Sequence, residues 1–312
     1  MPHSRPFRFG ATGGKTQSGK AWRELARKAE SLGYSSLFLP DHFNDQVSPL
    51  PALAMAAEAT ERLRVGTLVI CNDFRHPAML AKELATIDLL SDGRVEWGMG
   101  AGWFPFDFES TDLSFDPPGI RVERLAEAVS VMKGLFGQQP VDHRGVHYRI
   151  EGLNGTPKPV QTPHPPLLIG AAQRRLLSLA GREADIVGVA PSLESRSLGT
   201  RPPLMTVTAA ADRQLEWVRT GAGPRFERIE LQMTAFPAIV GGDVKAHSEN
   251  AAKPFGLEPS EVLASPQVLL GSVEQICDLL EERRARWGVS YWVVATDAVE
   301  KFSPVVDRMV GR

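Results

Sequence analysis

The chain is 312 residues long, and its 43% apolar and 23% charged residues are the composition of an ordinary globular protein. The formal net charge of −2 argues against a nucleic-acid partner, and no apolar run approaches the roughly 18 residues of a membrane span. The start of the chain lacks the apolar stretch of a signal peptide, and two distant cysteines form no disulfide framework. These features predict a soluble, cytoplasmic protein, and by themselves they do not indicate a function.

Short β-rich runs alternate with helical patterns along the chain. The pattern predicts eight strands, at 7–10, 36–39, 63–71, 94–100, 166–170, 185–189, 230–235 and 291–294. Helices are predicted at about 22–32, 51–60, 77–90, 122–136, 174–180, 212–220, 273–287 and 298–309. Two stretches, 103–118 and 191–211, show no clear period. We predict that they are insertions after the fourth and sixth strands.

Eight strands that alternate with helices indicate a parallel sheet of the α/β class, and eight is the number that closes a (β/α)8 barrel. The main alternative is a doubly wound open sheet, which usually has fewer strands and a glycine-rich fingerprint after the first strand. The pair Gly13-Gly14 is a weak match to that fingerprint. We therefore predict a (β/α)8 TIM barrel that spans 1–312 as one domain. Its active site should lie where the strands end.

The second and third predicted strands end in residues with useful chemistry. Asp41 and His42 follow the second strand, and Cys71 ends the third. Histidine titrates near neutral pH, so His42 is the strongest candidate for proton transfer. The structural alternative is a strand-end histidine hydrogen-bonded to a carboxylate. Asp41 either caps the following turn or binds a ligand.

The fourth predicted strand ends in alternating glycines at 98, 100 and 102, followed by Trp103. A dinucleotide-binding fingerprint would continue into a helix, which the aromatic residues after Gly102 do not begin. Two interpretations remain: close approach of the backbone to a flat ligand, or tight packing at the barrel rim. The aromatic segment 103–118 is predicted as a lid or pocket wall, with a loop packed on the barrel exterior as the alternative.

The fifth predicted strand runs into a helix through the small-residue segment 170–173. Small residues before a helix N-terminus can cradle a phosphate, and Arg174 and Arg175 would strengthen that site. A plain turn with surface arginines is the alternative.

No metal site is predicted. His143 and His147 stand four residues apart, but Gly145 and the β-rich flanks indicate a hairpin rather than one helix face. No nucleophile elbow or Walker loop is present. A barrel hydrolase would need a carboxylate pair or a metal at the strand ends, and neither is evident.

Long segments of the chain resemble the bacterial luciferase-like monooxygenase superfamily, in particular its branch that uses the deazaflavin coenzyme F420. The matching segments are LGYSSLFLPDHF (32–43), ERLRVGTLVICNDFRHPAMLAKELATIDLLSDGRVEWGMGAGW (61–103), GIRVERLAEAVSVMKGLF (119–136), PHPPLLIGAAQRRLLSLAGREADIVGV (163–189) and GSVEQI (271–276). The resemblance spans nearly the whole chain and implies a (β/α)8 barrel that forms a homodimer.

The resemblance also implies roles for individual residues. It implies a non-proline cis peptide bond at Leu68–Val69, as a bulge behind the flavin ring. Asp41 and His42 would lie against the deazaflavin, with the histidine as the acid/base or electrostatic partner. The strand end at 100–102 would contact the cofactor, and the loop at 170–173 would hold its phosphate and tail.

Three departures from the family pattern bear on function. Many relatives have a glycine-rich run where this chain has 171–173. FMN-using relatives often have a serine in that loop, and none stands between Gly170 and Arg175. Sugar-phosphate dehydrogenase relatives have an acidic residue where this chain has 101–103, which argues against a sugar-phosphate substrate.

The resemblance therefore predicts an F420-dependent oxidoreductase that transfers a hydride between C5 of coenzyme F420 and a small organic substrate at the C-terminal mouth of the barrel. The alternatives are a reduced-FMN monooxygenase on the same fold and, from another class, a non-catalytic flavin- or F420-binding protein. His42 is the predicted catalytic residue, and Trp103 and Phe104 form the predicted substrate pocket. The predicted cofactor-binding residues are Asp41, Leu68, Val69, Cys71, Gly100, Ala101, Gly102, Gly170, Ala171, Ala172 and Gln173.

Overall fold

The computed structural model describes residues 5–191 and 208–312. The strands in these ranges are β1 (Arg8–Thr12), β2 (Ser36–Leu39), β3 (Arg64–Thr67), β4 (Ile70–Cys71), β5 (Val95–Gly100), β6 (Val141–Arg144), β7 (Arg149–Leu153), β8 (Leu167–Ala171), β9 (Ile186–Val189), β10 (Glu230–Thr234), β11 (Ala238–Val240), β12 (Leu269–Gly271) and β13 (Val289–Ala295). The helices are α1 (Gly19–Ser31), α2 (Pro49–Glu58), α3 (Pro77–Leu90), α4 (Pro105–Glu109), α5 (Pro118–Phe136), α6 (Arg174–Glu183), α7 (Thr208–Ala222), α8 (Val244–Ala252), α9 (Pro259–Leu263), α10 (Val273–Trp287) and α11 (Val299–Met309). None of these helices is both long and apolar enough to cross a membrane.

The described residues form two compact units. The site unit comprises Gly13–Arg27 and Leu37–Gly170. The terminal unit comprises the described residues of Met1–Thr12, Lys28–Ser36 and Ala171–Arg312. Each unit is therefore assembled from segments that are separated in the sequence.

In the terminal unit, β1, β13, β10 and β9 lie side by side and are parallel. Trp292 on β13 stands beside Phe9 on β1 and beside Met233 on β10. All three side chains are fully buried, as expected of parallel strands that are covered on both faces. A separate two-stranded parallel sheet joins β11 to β12.

In the site unit, β5 is the central strand. It pairs in parallel with β3 and β4 on one side and with β8 on the other. The register places Cys71 at the end of β4 beside Gly100 at the end of β5. The strands β6 and β7 form an antiparallel hairpin, which confirms the hairpin predicted around His143 and His147.

The predicted (β/α)8 barrel is confirmed. Its eight strand positions are taken by β1, β2, the β3–β4 pair, β5, β8, β9, β10 and β13, with helices between them along the chain. The helix α3 illustrates the local signals that allowed its prediction. Pro77 occupies its first turn, and the His76 side chain accepts a hydrogen bond from the backbone N–H of Ala78.

Several predicted boundaries were wrong. The run 63–71 is two strands, β3 and β4, and the two residues between them, Leu68 and Val69, are joined by a cis peptide bond. The segment 103–118 contains the helix α4, which is too short to show periodicity. A further insertion at 238–271, containing β11, α8, α9 and β12, was not predicted. Most of the predicted insertion at 191–211 lies outside the described residues.

Candidate active site

Asp41 follows β2, and its carboxylate is buried and already paired. The guanidinium of Arg75 donates to both carboxylate oxygens, at 2.5 and 3.0 Å, and the backbone N–H of Cys71 donates at 3.2 Å. A bidentate, charge-assisted pair of this kind is among the stronger polar contacts in proteins. Asp41 therefore ties the end of β2 to the end of β4. Its predicted contact with a cofactor stays a prediction.

His42 is held through its Nδ1 nitrogen. Its Nδ1 lies 2.6 Å from Oδ2 of Asp107, and Oδ1 of the same carboxylate accepts the backbone N–H of Phe43 at 3.0 Å. Among the described residues, no hydrogen bond reaches Nε2 of His42. The carboxylate partner that the sequence left as the structural alternative is present. It occupies Nδ1 only, so Nε2 can still exchange a proton with a bound molecule.

Aromatic side chains surround the imidazole of His42. The Trp103 ring lies 5.6 Å from it at 83°, and the Phe104 ring lies 5.9 Å from it at 90°. Trp103 is 47% exposed and Phe106, on α4, is 50% exposed. The segment 103–116, which we call the lid segment, therefore lies against His42 and presents apolar surface beside it. This arrangement suits a pocket wall for an apolar molecule.

Two arginines on α5 anchor the lid segment. Arg121 donates to the carbonyl oxygens of Ala101, at 2.8 Å, and Gly102, and it stacks over the Phe115 ring. Arg124 pairs with Asp73, at 2.6 Å, and with Asp116. In addition, the Nε of Arg121 donates to the backbone carbonyl of Asp116 at 2.8 Å. One helix thus holds the end of the lid segment and the two residues that precede its start.

The backbone between β3 and β4 presents apolar surface. Leu68 and Val69 are half-buried, whereas Thr67 before them and Ile70 after them are fully buried. The peptide bond that joins Leu68 to Val69 is cis, as the resemblance implied. Two adjoining half-buried apolar residues provide a surface that a flat ring can contact.

The glycines at the end of β5 are explained by packing within the protein. A Cβ on Gly98 would lie 2.0 Å from the carbonyl oxygen of Thr67, and one on Gly100 would lie 2.6 Å from Cγ2 of Val69. A Cβ on Gly170 would also meet Val69, at 3.0 Å. The structure therefore supports tight packing, the second of the two interpretations that the sequence left open. Contact of Gly100 and Gly170 with a cofactor stays a prediction.

Gly102 and Cys71 form a close contact beneath the lid segment. Gly102 has a φ of +72°, and a Cβ there would lie 2.7 Å from Phe108 and 2.8 Å from Sγ of Cys71. Burial raises the pKa of the Cys71 thiol to about 12, so this thiol is protonated near neutral pH. Across residues 5–191 and 208–312, no three His, Cys, Asp or Glu side chains group together as a metal site requires.

The loop after β8 is held by a side chain that sequence reasoning missed. In the terminal unit, the amide of Gln214 donates to the carbonyl oxygens of Ala172 and Ala190, both at 2.9 Å. Gln214 is fully buried, and within the described part of the chain its Oε1 has no partner. Ala171 is buried, whereas Gln173 is exposed and immediately precedes α6. Binding of a phosphate by this loop stays a prediction.

The structure brings together most of the residues predicted at the strand ends, and it adds others. Asp107, Arg75 and Arg121 were not predicted, although each contacts a predicted site residue or its backbone. A signal for Asp107 was present: it stands in the first turn of α4, which begins with Pro105.

Comparison with known proteins identifies the family. The family model described as luciferase-like monooxygenase matches residues 3–226. The chain is 30% identical over 189 residues to the F420-dependent glucose-6-phosphate dehydrogenase of Microbacterium testaceum, covering 58% of this chain and 55% of that protein. It is 31% identical over 170 residues to the FMNH(2)-dependent dimethylsulfone monooxygenase of Pseudomonas putida, covering 52% of this chain and 46% of that protein. The matches thus span about half the length of these relatives.

A solved structure shows the same fold. The coenzyme F420 dependent tetrahydromethanopterin reductase from Methanopyrus kandleri superposes with a TM-score of 0.79 at 19% identity, covering 97% of this chain and 99% of that one. Identity at that level supports the (β/α)8 fold and nothing finer. The family model covers well over half of the chain, and on that basis the protein belongs to the luciferase-like monooxygenase family.

Proposed function

We propose that this protein is an F420-dependent oxidoreductase that transfers a hydride between C5 of coenzyme F420 and a small organic substrate. The observation that carries the proposal is the state of His42: Nδ1 is bound to Asp107, and Nε2 has no partner among the described residues. Transfer of a hydride to or from a carbon that bears oxygen requires a matching proton at the oxygen. A histidine whose second nitrogen is available to the substrate can give or take that proton.

The residues of the site unit fit a flat cofactor. Leu68 and Val69 offer a half-buried apolar surface in a run that is otherwise buried, and the half-exposed indole of Trp103 offers another. These residues would hold the ring system, and bound F420 supplies hydride chemistry at C5.

His42 performs the acid–base part of the reaction. When a substrate alcohol is oxidised, Nε2 accepts the hydroxyl proton as the hydride leaves the carbon. In the reverse direction, the protonated ring donates that proton to the carbonyl oxygen while the carbon receives the hydride. The aromatic rings of Trp103 and Phe104 limit the access of water to the imidazole.

The charge balance of the site favours a substrate that is uncharged at its reacting end. The three arginines of this site, Arg75, Arg121 and Arg124, are already paired with carboxylates or backbone carbonyls of the site unit. The ring of His42 packs against the aromatic rings of Trp103 and Phe104, and its Nδ1 is hydrogen-bonded to Asp107. We therefore propose an apolar alcohol or ketone rather than a sugar phosphate.

A reduced-FMN monooxygenase is the second candidate. Its support is the relative named FMNH(2)-dependent dimethylsulfone monooxygenase, which matches this chain at 31% identity. Against it, the segment between Gly170 and Arg175 has no serine that could hold the FMN phosphate.

A cofactor titration tests the proposal. The fluorescence of the six tryptophans is followed while F420 or FMN is added to the purified protein. We expect quenching at micromolar F420 and weaker quenching by FMN, and we expect Trp103→Phe to reduce the signal without abolishing binding measured by calorimetry. Preferential FMN binding together with oxygen uptake in the presence of reduced FMN would establish the second candidate instead. Tight binding without turnover of any hydride acceptor would indicate a non-catalytic binding protein.

A further inference from the structure

We propose that Asp107 is a positioning residue, which holds His42 in the tautomer with its proton on Nδ1 and so makes Nε2 the proton-accepting atom. The consequence for turnover rests on the proposed function, whereas the tautomer itself is a property of the protein alone. Asp107 lies in the sequence 65 positions after His42, in the lid segment.

The hydrogen bonds of Asp107 support this assignment. Oδ2 of Asp107 lies 2.6 Å from Nδ1 of His42, and an ionised carboxylate only accepts hydrogen bonds, so beside the ionised form of Asp107 the proton is on Nδ1. Its Oδ1 accepts the backbone N–H of Phe43 at 3.0 Å. Asp107 is 2% exposed, so water does not compete for either oxygen. One buried carboxylate therefore orients the imidazole and the backbone that follows it.

The neighbouring rings fix the plane of the imidazole. Trp103 and Phe104 meet it edge-on, at 83° and 90°. The ring is therefore restrained in rotation by the same segment that supplies the carboxylate. A neutral imidazole with Nδ1–H has its lone pair on Nε2, the atom without a partner among the described residues.

The residues that contact His42 connect the lid segment to proton transfer. The carboxylate that is hydrogen-bonded to the His42 ring and the two aromatic rings that pack against it all belong to the lid segment, and α4 carries the carboxylate. The lid segment is anchored independently, by Arg121 and Arg124 on α5. The proton-accepting state of His42 is therefore specified only while the lid segment is seated.

The substitution Asp107→Asn keeps the shape of the side chain, removes its negative charge and is expected to change the tautomer of His42. The asparagine can still accept the Phe43 N–H through Oδ1, but its amide must donate to Nδ1 of His42. That contact moves the ring proton to Nε2 and removes the lone pair that faces the substrate. We expect kcat for alcohol oxidation to fall about 10²–10⁴-fold, in line with wrong-tautomer substitutions in other His–Asp pairs, with KM changed only a few-fold.

Nitrogen-15 NMR reads the tautomer directly. The protein is labelled with ¹⁵N-histidine, and the His42 signals are assigned by their loss in His42→Gln. In alkaline buffer, where the spectrum itself shows that the ring carries a single proton, we expect Nδ1–H in the wild type and Nε2–H in Asp107→Asn. Asp116→Asn, which weakens a lid anchor without touching the ring, is the matched control and should keep Nδ1–H.

The outcomes separate this inference from the proposed function. A wild-type spectrum with Nε2–H, or an unchanged tautomer in Asp107→Asn, overturns the positioning role. The wild-type spectrum alone decides the point if the variant does not fold. A tautomer that switches while kcat stays unchanged supports positioning by Asp107 and overturns the proton step assigned to His42.

Discussion

Asp41 and His42 are adjacent in the chain, yet their side chains serve different purposes. The carboxylate of Asp41 accepts hydrogen bonds from Arg75 and from the backbone N–H of Cys71, and these bonds stabilise the strand ends. Within the part of the chain that the structure describes, Nε2 of His42 has no hydrogen-bond partner. The sequence predicted both as candidates, because residue type and position at a strand end were visible. It could not distinguish them, because their partners lie far along the chain and are identified only by folding.

Removal of the His42 ring should reduce turnover selectively. For His42→Ala we expect a loss of about 10²–10⁴-fold in kcat, since general acid–base catalysis contributes that much. Steady-state kinetics with F420 and a panel of alcohols measures the loss, and calorimetric titration of F420 serves as the control for cofactor affinity. A loss below about threefold with intact affinity would remove His42 from the mechanism.

Replacing Gly100 with alanine should destabilise the protein, because the residues packed around Gly100 leave no room for a Cβ. The new Cβ would lie 2.6 Å from Cγ2 of Val69, so the neighbouring chain must move. We expect Gly100→Ala to lower the free energy of unfolding by about 1–3 kcal/mol, as other overpacked core substitutions do. Gly19→Ala is the matched control, because its Cβ meets only ordinary contacts from 3.4 Å outward at the start of α1. Equal midpoints in urea for the two variants would contradict the packing explanation.

At the scale of elements, the helices and strands with the strongest local sequence patterns were predicted most accurately. The strand β2 and the helix α3 match their predicted bounds, 36–39 and 77–90, because a short apolar run and an N-terminal proline mark them. Nothing in the run 63–71 marks its interruption, and only the resemblance to a family indicated the cis bond there. The helix α4 was hidden because five residues are too few to reveal a helical period. It nevertheless carries Asp107.

The β6–β7 hairpin should respond to acid through Glu127. Burial alone would raise the pKa of this carboxyl, but backbone N–H groups of His147, Val146 and Tyr148, together with the His143 side chain, lower it from 4.5 to about 2. The pKa is depressed in the folded state, so the carboxylate contributes stability above about pH 4.5 that is lost as the pH falls toward 2.

Paired substitutions isolate that contribution. We expect Glu127→Gln to melt below the wild type at pH 6, with the difference in Tm shrinking as the pH falls and vanishing near the pKa of about 2. Glu151→Gln on β7 removes a carboxylate from exposed ion pairs and should change Tm little at any pH. A difference for Glu127→Gln that does not depend on pH would contradict the role of the charge.

At the scale of the whole molecule, the count of alternating strands and helices predicted the barrel correctly. Composition excluded other classes without pointing to a function, and the resemblance supplied the family. The division into a site unit and a terminal unit was not visible, because it depends on which distant segments pack together. The prediction that 1–312 is one domain stays a prediction.

The two cysteines allow that prediction to be tested. Cys71 belongs to the site unit and Cys277 to the terminal unit. Burial raises the pKa of both thiols, so neither should react with iodoacetamide in the native protein at neutral pH. In a urea series with peptide mass spectrometry, a single domain predicts coincident labelling midpoints for Cys71 and Cys277. Separate midpoints, checked in Cys71→Ala and Cys277→Ala, would show that the units unfold independently.

The pairing of β1 with β13 also determines the order in which parts of the protein can fold during synthesis. Arg8 stands in register with Tyr291, so β1 can pair with β13 only after the residues between them have been synthesised and have left the ribosome. At typical translation rates, that delay is on the order of tens of seconds. The site unit, which ends at Gly170, is complete in sequence much earlier. The nascent chain can therefore assemble the surroundings of His42 before β1 can pair with β13.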